Sequence, residues 1–394
     1  MADDAVSPAS APELSIVIPC LNEAETLATC LDKCQRALAS SGIDGEVIVA
    51  DNGSEDGSVA IAERYGARVV HVAHKGYGHA LMAGIDAARG RFVVMGDADD
   101  SYDFLEVPRF VERLREGYDL VQGCRLPAGG GTVMPGAMPF LHRWWGNPMF
   151  SFLAKWWFRA PVNDVYCGMR GFTKAFYRRL DQRCVGMEFA TEMIIRSSLY
   201  GGRIAELPIT LHPDGRRLRR PHLRSFRDGW RTLRLFLTVS PRWLFVVPGV
   251  VLFALGFVVM LAALFGLGWP DTPPGTRTVV HASLAMLVGY QALVFGVFAK
   301  VFAIVEGLLP DDPKFSRLFR ILNLERGLVL GGLVAAAGIV VLLVPERLPG
   351  AAPDAAFRWS VAGATMAALG SQSVLASFLI SLLGMTRRPV FPVR

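Results

Sequence analysis

Four long apolar stretches in the last two-fifths of the chain restrict its possible folds more than any other feature. They span residues 243–268, 279–308, 327–344 and 359–384. Each is close to or above the roughly 20 residues that an α-helix needs to cross a bilayer. The excess of hydrophobic residues, which make up 52% of the chain, lies in this region. We therefore predict an all-α transmembrane domain of four helices over residues 242–386.

The distribution of basic residues predicts how these helices are oriented. Basic residues cluster in the loop after the second stretch and in the tail (387–394): Lys314, Arg317, Arg320, Arg326, Arg387, Arg388 and Arg394. Lys and Arg are enriched on the cytoplasmic side of membrane proteins. With an even number of spans, this loop, the tail and the N-terminal half all fall in the cytosol. We expect a multi-pass protein of the cytoplasmic (inner) membrane.

The N-terminal half has the features of a cytosolic domain. Residues 1–12 are acidic and rich in Ser, Ala and Pro, and they contain neither the basic nor the apolar region of a signal peptide. We expect this segment to be disordered. All six cysteines lie in the N-terminal half without metal-type spacing, which indicates reduced thiols.

Strand and helix patterns alternate four times in fewer than 100 residues. The strands are predicted at residues 14–19, 46–50, 68–72 and 91–95. Such alternation indicates βαβ units with right-handed crossovers and a parallel sheet. For the first helix, Asn22 followed by Glu25 predicts an N-cap, and the pattern continues to about Ala39.

Two aspartates follow the fourth strand. Asp97 and Asp99 are separated by the small residue Ala98, and in an extended chain this spacing puts both side chains on one face. Carboxylates that close repel each other unless a cation lies between them, and oxygen ligands of this kind suit Mg²⁺ or Mn²⁺. The alternative is an acidic surface loop. The position after a strand favours a metal and diphosphate site at the carboxyl edge of a sheet.

Polar residues also follow the first two strands, at Asn22 and Glu23 and at 51–56. Their carboxylates can accept hydrogen bonds from a base and a ribose. The sequence contains neither G-x-G-x-x-G after the first strand nor G-x-x-x-x-G-K-[ST], which disfavours a dinucleotide oxidoreductase and a P-loop NTPase. What remains is a nucleotide-diphosphate site that requires a metal.

Three motifs carry a family resemblance: Ile-Pro-Cys-Leu-Asn-Glu (18–23), Ala-Asp-Asn-Gly-Ser-Glu-Asp-Gly (50–57) and Gly-Asp-Ala-Asp (96–99). In this order they resemble the motifs of family 2 glycosyltransferases, most closely dolichyl- or polyprenyl-phosphate sugar synthases, over residues 13–235. The resemblance implies an α/β GT-A nucleotide-diphospho-sugar transferase domain with a Rossmann-like mixed sheet. We expect this cytosolic catalytic domain at 13–212.

The resemblance also implies roles for individual residues. Those implied to contact the nucleotide sugar are Pro19, Leu21, Glu23, Asp51, Ser54, Lys75, Asp97, Ala98 and Asp99, of which Asp97 and Asp99 are the metal ligands. Those implied to contact the acceptor phosphate are Arg125, Arg143, Arg170, Arg216 and Arg220. The residues implied to take part in catalysis are Asp99, Arg125, Arg143, Asp164, Arg216 and Arg220. Ser101 departs from the family pattern, which often has Gln there.

Two segments between these motifs and the membrane helices indicate contact with lipid. Residues 140–159 contain four of the eight tryptophans together with Arg, Lys and His, which is typical of an interfacial amphipathic segment. The alternative is an aromatic core helix. Residues 213–241 form a basic loop and a juxtamembrane amphipathic helix. Because apolar helices follow at once, anionic lipid is favoured over nucleic acid as the partner of this run.

The predicted reaction is inverting transfer of a hexosyl group from a UDP- or GDP-sugar to a polyprenyl phosphate. The acceptor-side candidates are arginines, which bind phosphate bidentately. A phosphate monoester is largely ionised at neutral pH and needs no general base. One rival is transfer to a glycan or glycolipid hydroxyl with Asp164 or Glu188 as the base. Another is an inactive membrane scaffold or lipid-binding subunit.

Overall fold

The computed structural model describes residues 11–216, 225–267, 275–313, 315, 317, 324–343 and 353–384. The predictions for residues 1–10, for Arg220 and for the tail at 387–394 lie outside this part of the chain. The protein has two compact units, Met1–Phe236 and Leu237–Arg394.

The first unit contains a seven-stranded mixed sheet and a separate pair of short strands. The strands are β1 Leu14–Cys20, β2 Gly45–Asp51, β3 Arg68–His71, β4 Phe92–Met95, β5 Leu120–Cys124, β6 Thr132–Val133, β7 Arg170–Thr173, β8 Ile204–Pro208 and β9 Thr210–Leu211. The large sheet has the order β3-β2-β1-β4-β7-β5-β8, and β6 pairs with β9. The first four strands are parallel, as predicted. Strand β7 is antiparallel to both of its neighbours, which makes the sheet mixed.

Eight α-helices are described in the chain before the apolar helices of the second unit. They are α1 Leu27–Ser41, α2 Ser58–Arg64, α3 Tyr77–Ala87, α4 Val107–Arg115, α5 Asn147–Phe158, α6 Lys174–Leu180, α7 Phe189–Leu199 and α8 Ser225–Val239. The central strands β1 and β4 are fully buried at Ile16, Ile18 and Val94, as expected for a sheet covered on both faces.

The predicted start of the first helix is wrong. Helix α1 begins at Leu27, and Asn22 is not its N-cap because its backbone is left-handed, with φ of 60°. The Asn22 side chain instead accepts a hydrogen bond from the backbone N–H of Glu55 at 2.7 Å. The side chain of Asn22, which the sequence predicted to cap helix α1, therefore binds a neighbouring loop instead.

The second unit contains the four predicted apolar helices. They are Arg242–Leu264, Thr276–Val305, Leu324–Leu343 and Pro353–Leu383, and each is long and apolar enough to cross a membrane. The first of them starts with a π-helical turn and continues as α9, Val247–Leu264; the others are α10, α11 and α12.

Close backbone contact holds these helices together in pairs. A side chain at Gly256 of α9 would place its Cβ 2.7 Å from the carbonyl oxygen of Ala282 in α10. At Gly338 of α11, a Cβ would lie 2.8 Å from the carbonyl oxygen of Gly363 in α12. Small residues at these positions allow the backbones to approach, which is a common way for helices to associate in lipid.

Candidate active site

The ends of three parallel strands bring the predicted donor motifs together. Cys20 at the end of β1 pairs with Asp51 at the end of β2, and Val17 of β1 pairs with Met95 at the end of β4. The segments that follow these strands therefore leave the sheet at the same edge. This is the carboxyl edge, where open α/β sheets bind their ligands.

The first two motifs are interlocked by hydrogen bonds. The buried Asp51 carboxylate accepts from the N–H groups of Gly53 at 3.2 Å and Ser54 at 3.1 Å. The Ser54 hydroxyl accepts from the N–H of Asn22 at 2.8 Å, and the Ser58 hydroxyl accepts from the N–H of Glu23 at 2.9 Å. The two loops thus form one rigid piece. Four predicted donor contacts border this edge: Pro19 and Leu21 are half-buried, Ala98 is buried and Lys75 is exposed.

Both aspartates of the third motif are held by neighbouring hydroxyl groups. The Tyr77 hydroxyl donates to Asp97 Oδ1 at 2.9 Å. The backbone N–H and the hydroxyl of Ser101 donate to Asp99 Oδ1 at 3.1 and 2.6 Å. Burial, and then repulsion by Asp99, raise the pKa of Asp97 above its usual range. These groups fix the two carboxylates side by side despite their repulsion.

Arg216 lies among the donor-side carboxylates. Its guanidinium donates to Glu23 Oε1 at 3.0 Å and to Asp99 Oδ2 at 3.1 Å, and it binds both oxygens of Asp214. Burial raises the pKa of Glu23 to about 7, although Arg216 opposes this shift. The Arg216 guanidinium is engaged by carboxylates in this conformation, so its predicted contact with an acceptor phosphate stays a prediction that requires these ion pairs to open.

Arg125 and Asp164 form a buried ion pair. Arg125 donates to Asp164 through its backbone N–H at 3.1 Å, through Nε at 2.7 Å and through Nη2 at 2.9 Å. The exposed fraction is 10% for the Arg125 side chain and 0% for that of Asp164. Burial disfavours the charged guanidinium, but Asp164 outweighs this effect and raises the pKa of Arg125. Asp164 and Arg125 satisfy each other in this structure, and the catalytic role of Asp164 and the phosphate role of Arg125 stay predictions.

The remaining acceptor-side arginines differ from each other. Arg170 is fully buried and donates to the backbone carbonyls of Cys167 and Ala190, and this burial does not favour its phosphate contact, which stays a prediction. Arg143 lies in a π-helical turn with its guanidinium carbon 5.3 Å from the ring centre of Trp144. Arg143 Nε is buried and has no hydrogen-bond partner among the described residues, so this residue remains a candidate.

Comparison with known proteins identifies the family. The family model described as Glycosyl transferase family 2 matches residues 15–180. A hexosyltransferase of low-salt glycan biosynthesis from Haloferax volcanii, Agl6, is 36% identical over 385 residues, which are 95% of this chain and 90% of the relative. This chain belongs to glycosyltransferase family 2. The resemblance inferred from the motifs, the GT-A fold and the assignment as an enzyme are confirmed.

Other similarities extend this picture of a family 2 glycosyltransferase. A model of the C-terminal transmembrane region of the family matches residues 297–384, which together with the four apolar helices makes this a membrane protein. A dolichyl-phosphate hexose transferase from Haloferax volcanii is 32% identical over 198 residues, 50% of this chain and 82% of the relative. A glucosyl-3-phosphoglycerate synthase from Mycobacterium tuberculosis, solved with Mn²⁺, UDP-glucose and phosphoglyceric acid, is 24% identical with a TM-score of 0.45, covering 58% and 79% of the two chains.

The carboxylates of this glycosyltransferase fit a divalent cation that is bound together with a diphosphate. Among the described residues, no group of three or more His, Cys, Asp or Glu side chains forms a complete metal site. Asp97 and Asp99 offer two ligands, and Glu23 Oε2 is a buried acceptor with no hydrogen-bond partner in the described part of the chain. Mg²⁺ is often held by one or two carboxylates with substrate phosphates, and this set matches that arrangement.

Three residues of the site were not predicted from the sequence. Tyr77 positions Asp97, Asp214 pairs with Arg216, and the Tyr102 hydroxyl accepts from the N–H of Gly168 at 2.8 Å. A signal for Tyr77 exists, since it lies in Gly76-Tyr77-Gly78. A Cβ at Gly78 would lie 2.6 Å from the carbonyl oxygen of Cys184, so only glycine fits there. This close backbone contact at Gly78 fixes the chain next to Tyr77.

The aromatic segment at 140–159 is amphipathic in the structure. On one side of α5 and the preceding turn, large side chains are exposed, with 71% for Trp145, 56% for Trp144 and 56% for Trp156. On the other side, Phe150 and Phe158 are buried against Phe236 of α8. A core helix would not leave three tryptophans exposed, so the core-helix alternative is wrong for this face.

Proposed function

We propose that this enzyme transfers a hexosyl group from a nucleotide-diphosphate sugar to a polyprenyl phosphate, with inversion at the anomeric carbon. The observation that carries the proposal is the ion pair of Asp164 with Arg125. A hydroxyl acceptor needs a base, and the buried carboxylate predicted for that role is neutralised by its partner. A phosphate acceptor is already ionised and needs none. The name of the dolichyl-phosphate hexose transferase relative agrees with this choice.

On the donor side, the interlocked loops of Asp51 and Ser54 and the carboxylate of Glu23 would bind the base and ribose of a UDP- or GDP-sugar. Asp97 and Asp99 would hold Mg²⁺ or Mn²⁺. When bound, such a cation supplies charge that neutralises the departing diphosphate. Tyr77 and Ser101 would keep both carboxylates oriented toward it, so the chain contributes chiefly positioning.

On the acceptor side, Arg143 and the basic segment that starts at Arg216 would provide the cations for the lipid phosphate. The exposed tryptophans of α5 and the turn before it would lie at the level of the lipid headgroups, where indole rings are favoured. The basic loop after α10 supports a cytosolic catalytic unit in the cytoplasmic membrane, with anionic lipid rather than nucleic acid beside the protein.

A second candidate function is transfer to a hydroxyl group. One observation favours it: Oε2 of the half-buried Glu188 is enclosed and has no hydrogen-bond partner among the described residues. A carboxylate in this state can accept a proton from an acceptor hydroxyl. In this alternative, Glu188 replaces Asp164 as the base.

A transfer assay distinguishes the two functions. Full-length protein in detergent receives labelled UDP- and GDP-sugars with Mg²⁺ or Mn²⁺, and either polyprenyl phosphate or the matching polyprenol. Label that enters an acid-labile lipid from the phosphate alone supports the proposal. Label from polyprenol alone, abolished by Glu188→Gln, supports the second candidate. Transfer to neither acceptor with any donor contradicts both.

Variants of the acidic loop test the metal assignment in the same assay. Asp99→Asn should lower transfer by about 100-fold or more, because a neutral amide binds a divalent cation poorly and the charge on the leaving diphosphate is then not neutralised. Asp103→Asn is the matched control, since Asp103 caps the next helical turn by accepting from the N–H of Leu105 and lies 3.8 Å from Lys33 Nζ, away from the predicted metal ligands. Full activity of Asp99→Asn would rule out the assignment.

A further inference from the structure

The segment 212–216, which follows β9, places the guanidinium of Arg216 beside the donor carboxylates, although it lies more than 100 residues after them in the sequence. It runs beside the acidic loop, with the N–H of His212 donating to the carbonyl of Ser101 and the N–H of Gly215 donating to that of Asp99, both at 2.9 Å. Arg216 follows directly, and its guanidinium enters the space between Glu23 and Asp99. Its side chain is only 8% exposed.

We propose that Arg216 is the resident cation of the metal-free donor site, which a divalent cation displaces from Glu23 and Asp99. The proposal rests on the proposed function, since it concerns the same donor site, and it adds a step that precedes catalysis. Without Arg216, the carboxylates of Glu23 and Asp99 would lose the one guanidinium that pairs with both of them in the described part of the chain. Enclosed carboxylates of this kind are unfavourable unless they are paired.

Arg216 and a metal ion compete for the same oxygen atoms. Asp99 Oδ1 already accepts two hydrogen bonds from Ser101, so Oδ2 is its oxygen that points toward a cation. The Arg216 guanidinium donates to that Oδ2 at 3.1 Å. Mg²⁺ binds carboxylate oxygens at about 2.0–2.1 Å, so it cannot share Oδ2 with a guanidinium without strong repulsion between the two charges.

Asp214 gives the displaced guanidinium a partner of its own. It binds Arg216 through Nε and Nη2 at 2.7–2.9 Å and also accepts the backbone N–H of Arg216 at 2.9 Å. This local pair can turn away from Glu23 and Asp99 while the backbone contacts at His212 and Gly215 stay in place. Arg216 therefore becomes available to an incoming phosphate only after the metal has bound, which orders metal before acceptor.

Mn²⁺ binding to the donor-free, full-length protein in detergent tests the proposal. Free Mn²⁺ is measured by electron paramagnetic resonance, and thermal unfolding is recorded with and without Mn²⁺. Arg216→Met should bind Mn²⁺ about tenfold or more tightly than wild type, because a competing positive charge is gone. Its Tm without metal should fall, whereas saturating Mn²⁺ should bring it close to wild type. Arg216→Lys, which keeps the charge, should stay nearer to wild type in both measurements.

Lys33→Met is the matched control. Lys33 binds Asp100 at 2.8 Å beside the same loop but contacts neither Asp99 nor Glu23, so its loss should change the Mn²⁺ affinity by less than about threefold. If Arg216→Met does not fold, Arg216→Gln takes its place. Unchanged or weaker Mn²⁺ binding after loss of the Arg216 charge overturns the proposal. Since no donor or acceptor is present, this outcome is independent of the transfer assay.

Discussion

The buried pair of Arg125 and Asp164 allows a quantitative prediction. Replacing Asp164 by Asn removes the charge that balances Arg125, whose side chain is 10% exposed. Breaking one partner of a buried ion pair costs about 3–5 kcal/mol, because the other charge stays enclosed. For a unit of about 200 residues, each kcal/mol lowers Tm by roughly 2–4 °C, which gives a fall of about 10 °C.

The surface of the protein provides a control with the same chemistry. Arg183 binds Asp181 through Nε and Nη2 at 3.0 and 2.7 Å, as Arg125 binds Asp164, but these side chains are 47% and 63% exposed. Exposed pairs contribute about 0–1 kcal/mol. Asp181→Asn should therefore change Tm by no more than about 3 °C.

The assay is thermal unfolding of full-length protein in detergent, followed by tryptophan fluorescence. The double variant Arg125→Met/Asp164→Leu should recover most of the lost stability, because it removes both charges and keeps the volume filled. A Tm of Asp164→Asn as close to wild type as that of Asp181→Asn would refute the reasoning. Abolished transfer in a fully stable Asp164→Asn would instead indicate that Asp164 acts as a base.

Three further predictions concern other parts of the catalytic unit. Tyr77→Phe should weaken Mn²⁺ binding about three- to tenfold without changing Tm by more than a few degrees, since it frees Asp97; unchanged affinity would remove Tyr77 from the site. Burial raises the pKa of Glu46, but Arg68, the N–H of Arg89 and the hydroxyl of Ser15 outweigh it and lower the pKa. Glu46 thus stabilises the fold above its unfolded pKa of about 4.3, and this contribution is lost as pH falls through the folded value. The Tm difference between wild type and Glu46→Gln should be largest near pH 7 and shrink as the pH falls below about 4.3 toward the lowered folded pKa; a constant difference would contradict this. Brominated lipids should quench less fluorescence in Trp145→Phe than in wild type, and equal quenching would place α5 away from lipid.

The donor side of the site could be predicted from the sequence because strand ends determine it. Asp51 and Asp97 follow buried parallel strands, and parallel strands bring such residues to one edge. The acceptor side could not, because charge alone does not show whether an arginine is exposed. Arg170 was expected to meet a phosphate but is enclosed by backbone carbonyls.

Pairs of residues that are distant in the sequence were a second feature that could not be predicted. Glu23 and Arg216 are 193 residues apart, and no local pattern joins them. Arg125 and Asp164 were each identified as functional, yet nothing in the sequence shows that they neutralise each other across 39 residues. Asn22 has the spacing of a helix cap, but its side chain accepts a hydrogen bond from the N–H of Glu55 in the neighbouring loop, which the local sequence does not show.

The antiparallel strand β7 has a consequence for how such an enzyme changes over evolution. Residues 125–169 leave the sheet at the end of β5 and return at the start of β7 beside it, where Gln122 pairs with Arg170. The two ends of segment 125–169 are therefore held one strand spacing apart by the pairing of β5 with β7. The entropic cost of closing such a loop depends only weakly on its length. Insertions, deletions or wholesale exchange of this segment leave the parallel donor strands in register. The position of β7 beside β5 therefore does not depend on the length of the segment that joins them.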